Sequence, residues 1–135
     1  MPKKILVCDD DPQLRETLRL LLSPSYDVLE ARDGAEALRL IEDERPDLLL
    51  LDVSMPVMSG LETLKACQDW HPALATIMLS ARRQIGVARR ALALGARAYV
   101  TKPFDPESVR AEIDRVLVPF RAKPPGDQPP WRLVK

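Results

Sequence analysis

The sequence predicts an α/β fold: a (βα)5 doubly wound, five-stranded parallel sheet with helices on both faces. Three observations carry this. Five short apolar runs alternate with five helical periods between residues 1 and 118. Four of the runs are nearly continuous in apolar residues, as befits strands covered on both sides. Acids, a hydroxyl and a lysine sit directly after the runs, at the strand ends where such sheets hold their ligands.

Each element has a local reason. The first run, 4–8, is Lys4-Ile5-Leu6-Val7-Cys8 and stops at Asp9-Asp10-Asp11. Asp11-Pro12 reads as an N-cap followed by proline at the first helical position. The helix over 12–22 sets Leu14, Leu18, Leu21 and Leu22 on one face. Residues 26–30 form the second strand. Asp33 and Glu36 make a capping-box pair before a helix over 34–43. The third strand, 47–51, holds Leu48-Leu49-Leu50-Leu51 and ends at Asp52. Ser59 and Glu62 repeat the capping signature before a third helix from Gly60. The fourth strand, 74–79, leads to Ser80, and the fourth helix, 84–94, stops at Gly95. The fifth strand, 97–100, runs into Thr101-Lys102-Pro103. The fifth helix starts after Asp105-Pro106, and its Val109, Ile113, Val116 and Leu117 repeat the leucine spacing of the first. Right-handed crossovers turn this alternation into one sheet with two helical layers.

After Val118 the composition changes, with five prolines between residues 119 and 130. The expectation is one domain over 1–118 and a proline-rich tail or linker over 119–135. Trp131-Arg132-Leu133-Val134-Lys135 is expected to dock on the body or on another chain.

Composition excludes several classes. Hydrophobic residues make up 46% and charged residues 30% of the 135, enough for both a core and a soluble surface. No apolar stretch approaches the roughly 20 residues of a membrane span. The start, Met1-Pro2-Lys3-Lys4, lacks the apolar region of a signal peptide. Cys8 lies in an apolar run and Cys67 in a helical pattern. They read as buried thiols of a reducing cytosol, so a cytoplasmic location is expected. Formal net charge is zero, yet residues 1–80 carry 8 basic and 15 acidic side chains and residues 81–135 carry 12 and 5. Arg82, Arg83, Arg89, Arg90, Arg97 and Lys102 follow one another with no acid between them, which marks a partner surface.

The acids carry the chemistry. Like charges at the end of a buried strand repel and are desolvated unless a cation or a helix N-terminus compensates. The cap accounts for Asp11 and leaves Asp9 and Asp10. If the first and third strands are neighbours, Asp52 joins them, and three carboxylates at one edge suit a hard cation such as Mg²⁺.

Five separated signals agree in order and spacing: Asp9-Asp10, Asp52-Val53-Ser54-Met55-Pro56-Val57-Met58-Ser59-Gly60, Ser80-Ala81, Gly95-Ala96 and Lys102-Pro103-Phe104. Together they resemble the receiver domains of two-component response regulators over residues 3–118. The resemblance implies a flavodoxin-like strand order, 2-1-3-4-5. It implies that Asp52 accepts a phosphoryl group from the phosphohistidine of a histidine kinase or phosphotransfer protein. Asp10 would hold Mg²⁺ directly and Asp9 chiefly through water, with Asp52 and the Ser54 carbonyl completing the protein ligands. Lys102 and Ser80 would contact the phosphoryl group, and the Lys102-Pro103 bond is a candidate cis peptide. Ser80 and Tyr99 would form the switch. Ser54 and Arg82, each two residues past a site residue, would tune the phosphoryl lifetime. The output would be a basic surface of the fourth helix, fifth strand and fifth helix, fit for an acidic downstream protein. Direct nucleic-acid binding is not expected, and the state would be a monomer or a phosphorylation-dependent dimer. Such a chain catalyses only its own Mg²⁺-dependent phosphorylation and dephosphorylation. His71, before Pro72, reads as a turn residue and not as a phosphohistidine.

Two other functions compete. A haloacid-dehalogenase-type hydrolase also starts from a strand-end aspartate, but it needs an acid where Ser54 stands, and a cap domain. A degenerate receiver would serve as a constitutive interaction module, although every group expected of a competent one is present.

Overall fold

The computed structural model describes residues 2–53, 55, 58–80, 85–117 and 132–134. In chain order the elements are β1 (Lys4–Cys8), α1 (Pro12–Leu22), β2 (Asp27–Ala31), α2 (Gly34–Glu44), β3 (Leu48–Asp52) and α3 (Gly60–Trp70). They continue with β4 (Ala75–Ser80), α4 (Ile85–Ala93), β5 (Ala98–Thr101), α5 (Pro106–Leu117) and β6 (Arg132–Val134). The five expected strands are parallel and stand in the order 2-1-3-4-5, and β6 extends the sheet beside β5.

The strand period sorts the core into two layers. Leu6, Cys8, Leu49, Leu51, Met78 and Tyr99 face α2, α3 and α4 through Ala37, Ile41, Leu64, Cys67, Ala88 and Ala91. The alternate residues Ile5, Val7, Leu48, Leu50, Ile77 and Val100 face Leu18 and Leu22 of α1 and Val109, Ile113 and Leu117 of α5. Both sides of the sheet are buried, hence strands without polar alternation. Each fully buried leucine contributes about 1.5–3 kcal/mol.

The caps follow the sequence. Asp11 accepts from the Gln13 N–H with Pro12 beginning α1, and Ser59 and Glu62 form a complete capping box. At α2 the reciprocity is altered: Asp33 accepts from the Glu36 N–H, but the Glu36 carboxylate accepts from the Arg32 N–H, one residue outside the cap. Gly95, at φ 108°, takes the left-handed turn after α4 that disfavours side chains. Lys102-Pro103 is cis, as the resemblance implied. Cys8 and Cys67 are buried and free.

Candidate functional site

Register builds the site. β1 and β3 pair Cys8 with Leu51, so Asp9 and Asp52, one residue further on, come side by side. β3 and β4 pair Asp52 with Leu79, and β4 and β5 pair Ser80 with Thr101. Residues far apart in sequence therefore line one edge of the sheet.

At that edge one carboxylate oxygen each from Asp9, Asp10 and Asp52 lies within 4.8 Å of the others. Asp9 is 1% exposed and Asp52 5%, while Asp10 is open to solvent. Lys102 Nζ donates to Asp9 Oδ2 at 2.8 Å and stands 3.6 Å from Asp52 Oδ1. Burial lowers the pKa of Lys102, but its hydrogen bond to Asp9 and the charges of Asp9 and Asp52 outweigh that, and the net direction is upward. One ammonium among three acids leaves an excess of negative charge. A hard divalent cation with oxygen ligands fits both the charge and the donor set, with Asp9, Asp10 and Asp52 as its carboxylates.

The other expected site residues fall as follows. Ser80 is buried (1% exposed) at the end of β4, and its carbonyl accepts from the Lys102 N–H at 2.6 Å, which joins the serine and lysine segments. Tyr99 lies within β5, paired with Met78 of β4. It is 2% exposed and packs in the layer under α4 with Met78, Ala88 and Ala91. Ser54 and Arg82, expected to tune the site and in the case of Ser54 to offer a carbonyl ligand, lie outside the described residues.

Three supports were not foreseen. Arg15 of α1 donates to the Asp9 carbonyl at 2.6 Å while its Nε contacts Glu30, so α1 and β2 clamp the acidic turn. The Asp11 N–H donates to Asp9 Oδ1 at 2.9 Å and fixes that carboxylate. Gly60 lets the start of α3 approach the end of β3. A Cβ there would stand 2.0 Å from the Asp52 carbonyl oxygen, and the Gly60 N–H donates to the Val53 carbonyl. A glycine at the first position of a capped helix was the available signal. Cys8 lies close by but is no nucleophile: burial, then the charges of Asp33, Asp9 and Asp52, push its thiol far up.

Known proteins resemble this chain in sequence and in fold. Residues 5–114 match the family model of the response regulator receiver domain. The chain is 41% identical over 118 residues to the alkaline phosphatase synthesis transcriptional regulatory protein PhoP of Bacillus subtilis, covering 87% of this chain and 49% of that protein. It is 42% identical over 118 residues to the response regulator MprA of Mycobacterium sp. (strain KMS), covering 87% and 51%. The chain thus spans about half the length of these curated relatives. The solved chemotaxis protein CheY4 of Vibrio cholerae superposes with a TM-score of 0.81 at 32% identity, over 87% of this chain and 100% of that one. Sequence, fold and the acidic edge agree, and the chain belongs to the response regulator receiver domain family.

Proposed function

We propose that residues 1–118 form a competent phosphoacceptor unit in which Asp52 takes a phosphoryl group from the phosphohistidine of a kinase or phosphotransfer protein, with 119–135 as an appended tail. The observation that carries this is a nearly buried Asp52 carboxylate grouped within 4.8 Å with two further acids and 3.6 Å from Lys102.

In the reaction an Asp52 oxygen forms a bond to phosphorus. The phosphorus–nitrogen bond breaks, and its electron pair stays on the departing imidazole. Transfer of this kind needs positioning and charge neutralisation more than proton chemistry. Asp9, Asp10 and Asp52 would hold Mg²⁺, which when bound would supply the charge that lets a phosphoryl anion approach three acids. Lys102 begins on Asp9 and has Asp52 within reach, so its flexible stem can turn to the new phosphoryl oxygens. Ser80, buried at the neighbouring strand end, supplies a hydroxyl to the same group. Ser54 and Arg82 tune hydrolysis. Tyr99, two residues before Thr101 in β5, links the edge to the surface of α4, β5 and α5, which carries the signal to an acidic downstream partner.

The test is incubation with Mg²⁺ and acetyl phosphate or phosphoramidate, read by intact mass. One phosphoryl adduct, absent from Asp52→Ala, is expected. No adduct on the unmodified chain would favour a constitutive interaction module.

A further inference from the structure

The strand β6 is not part of the doubly wound pattern, and its place gives it a role. It pairs with β5 in parallel, Ala98 with Arg132, Tyr99 with Leu133 and Val100 with Val134. Crossovers that step across the sheet in the direction from β1 to β5 use α2, α3 and α4, all on one face. The helix before β6 is α5, which packs on the opposite face with α1. A step from β5 to β6 by way of α5 therefore has the hand that parallel sheets avoid in about 98% of cases. Three residues also make a strand at the short limit. Such a strand is an addition to a finished sheet and opens at low cost.

A second observation, on α5, points to the same edge. Arg110 reaches Ser25 and Asp114 accepts from Tyr26, so this flank of α5 faces the end of α1. Glu112 lies about 100° around the helix from Ile113, on the side opposite Asp114. It therefore looks toward the outer edge of β5. On the open edge of a five-stranded sheet a carboxylate there would be wet. Instead Glu112 is 1% exposed and bound by Arg115 at 2.9 Å.

We propose that the outer edge of β5 is a strand-docking site, which this chain fills with its own Arg132–Val134. Docking pairs the outer backbone of β5, on the side of the sheet edge toward which the Glu112 flank of α5 is turned. It also hides an edge that would otherwise template pairing with other chains. As a consequence the surface formed by α4, β5 and α5 is self-capped, and a partner that uses β5 must displace β6. That consequence rests on the reading of this surface as the output face.

The test compares the full chain with Leu133→Pro, and with Val134→Pro as a second variant. Proline removes a ladder N–H outside the acidic site and its supports. Amide hydrogen exchange is followed by NMR, together with carbodiimide labelling of Glu112. In the full chain the β5 amides that point away from β4 are expected to be protected. In the variants they should exchange at least ~10-fold faster, as for an edge that opens freely, and Glu112 should become labelled. Amides of β1 and β3 should keep their protection and report an intact fold. Equal exchange at the β5 edge in all three proteins would overturn the proposal. Protection that rises with protein concentration, in a dimer that Leu133→Pro dissolves, would also overturn it by assigning the strand to a second copy. Fluorine NMR of the same samples with Mg²⁺ and beryllofluoride tests the phosphoacceptor reading separately. Bound beryllofluoride with an unprotected β5 edge sinks the cap alone. A protected edge with no bound beryllofluoride sinks the phosphoacceptor alone.

Discussion

Lys102 shows how one side chain can hold a costly arrangement together. Asp9 is 1% exposed and its 2.8 Å partner is the Lys102 ammonium. Lys102→Ala leaves that carboxylate buried without its cation and should lower stability by about 1–3 kcal/mol, the cost of orphaning a buried polar group. Urea unfolding checks this: the midpoint should fall at an unchanged slope. A midpoint equal to that of the unaltered chain would mean that the Asp11 N–H is compensation enough for the Asp9 carboxylate. Tyr26 gives a prediction in pH. Burial first, then its hydrogen bond to Asp114 and the charge of that acid, push its hydroxyl from the ordinary 10 up to about 12. A folded-state value above the unfolded one means that the folded chain holds the proton more tightly. The stability from this bond is thus complete below pH 10 and is lost as pH rises from 10 through about 12. Lys102, also shifted upward, weakens in the same alkaline direction. Tyr26→Phe should make the loss of stability between pH 10 and 12 shallower, as read by thermal unfolding across that range. An identical alkaline slope would show that the hydroxyl does not carry it.

Between elements, the tightest constraint is the join of β3 and α3. A Cβ on Gly60 would fall 2.0 Å from the Asp52 carbonyl oxygen and 2.6 Å from the Val53 Cα, both backbone atoms that cannot rotate aside. Gly60→Ala should therefore push α3 away from the strand end. Expected are a loss of about 1–3 kcal/mol, as for overpacking, and a slower acetyl phosphate reaction, because the Asp52 backbone shifts with it. A variant of unchanged stability and rate would show that the join has slack. This join also marks where sequence reasoning stopped. Caps, Pro12 and Gly95 act within a few residues, so the starts of the first three helices and the stop of the fourth were legible. The continuous runs at 4–8 and 48–51 identified buried parallel strands for the same reason. The acids and Lys102 were legible as a group because a parallel sheet places successive strand ends at one edge. The partner of Lys102 was not, since it depends on the combined register of β1, β3, β4 and β5. The strand β6 was not legible either. Arg132-Leu133-Val134 is too short for a period, and its pairing depends on an edge left open by a distant part of the chain.

Across the whole molecule, the site exists only while the sheet does. Asp9 directly follows β1, Asp52 ends β3 and Lys102 directly follows β5, so unfolding disperses the cluster and a cation that binds it stabilises the native chain alone. By mass action the gain is RT ln(1 + [Mg²⁺]/Kd), about 2.7 kcal/mol when Mg²⁺ is at 100 times its Kd. In the absence of metal the same cluster works against the fold, because three acids repel with one ammonium between them. Asp10 separates these two effects, since it is exposed where Asp9 is buried. Asp10→Asn should raise the thermal midpoint in EDTA and flatten the rise that Mg²⁺ produces in the unaltered chain. The two melting curves should then approach or cross as Mg²⁺ is added. A variant that melts lower in EDTA would mean that Asp10 earns its place through hydrogen bonding. One that keeps the full Mg²⁺ response would place the ion on Asp9 and Asp52 without it.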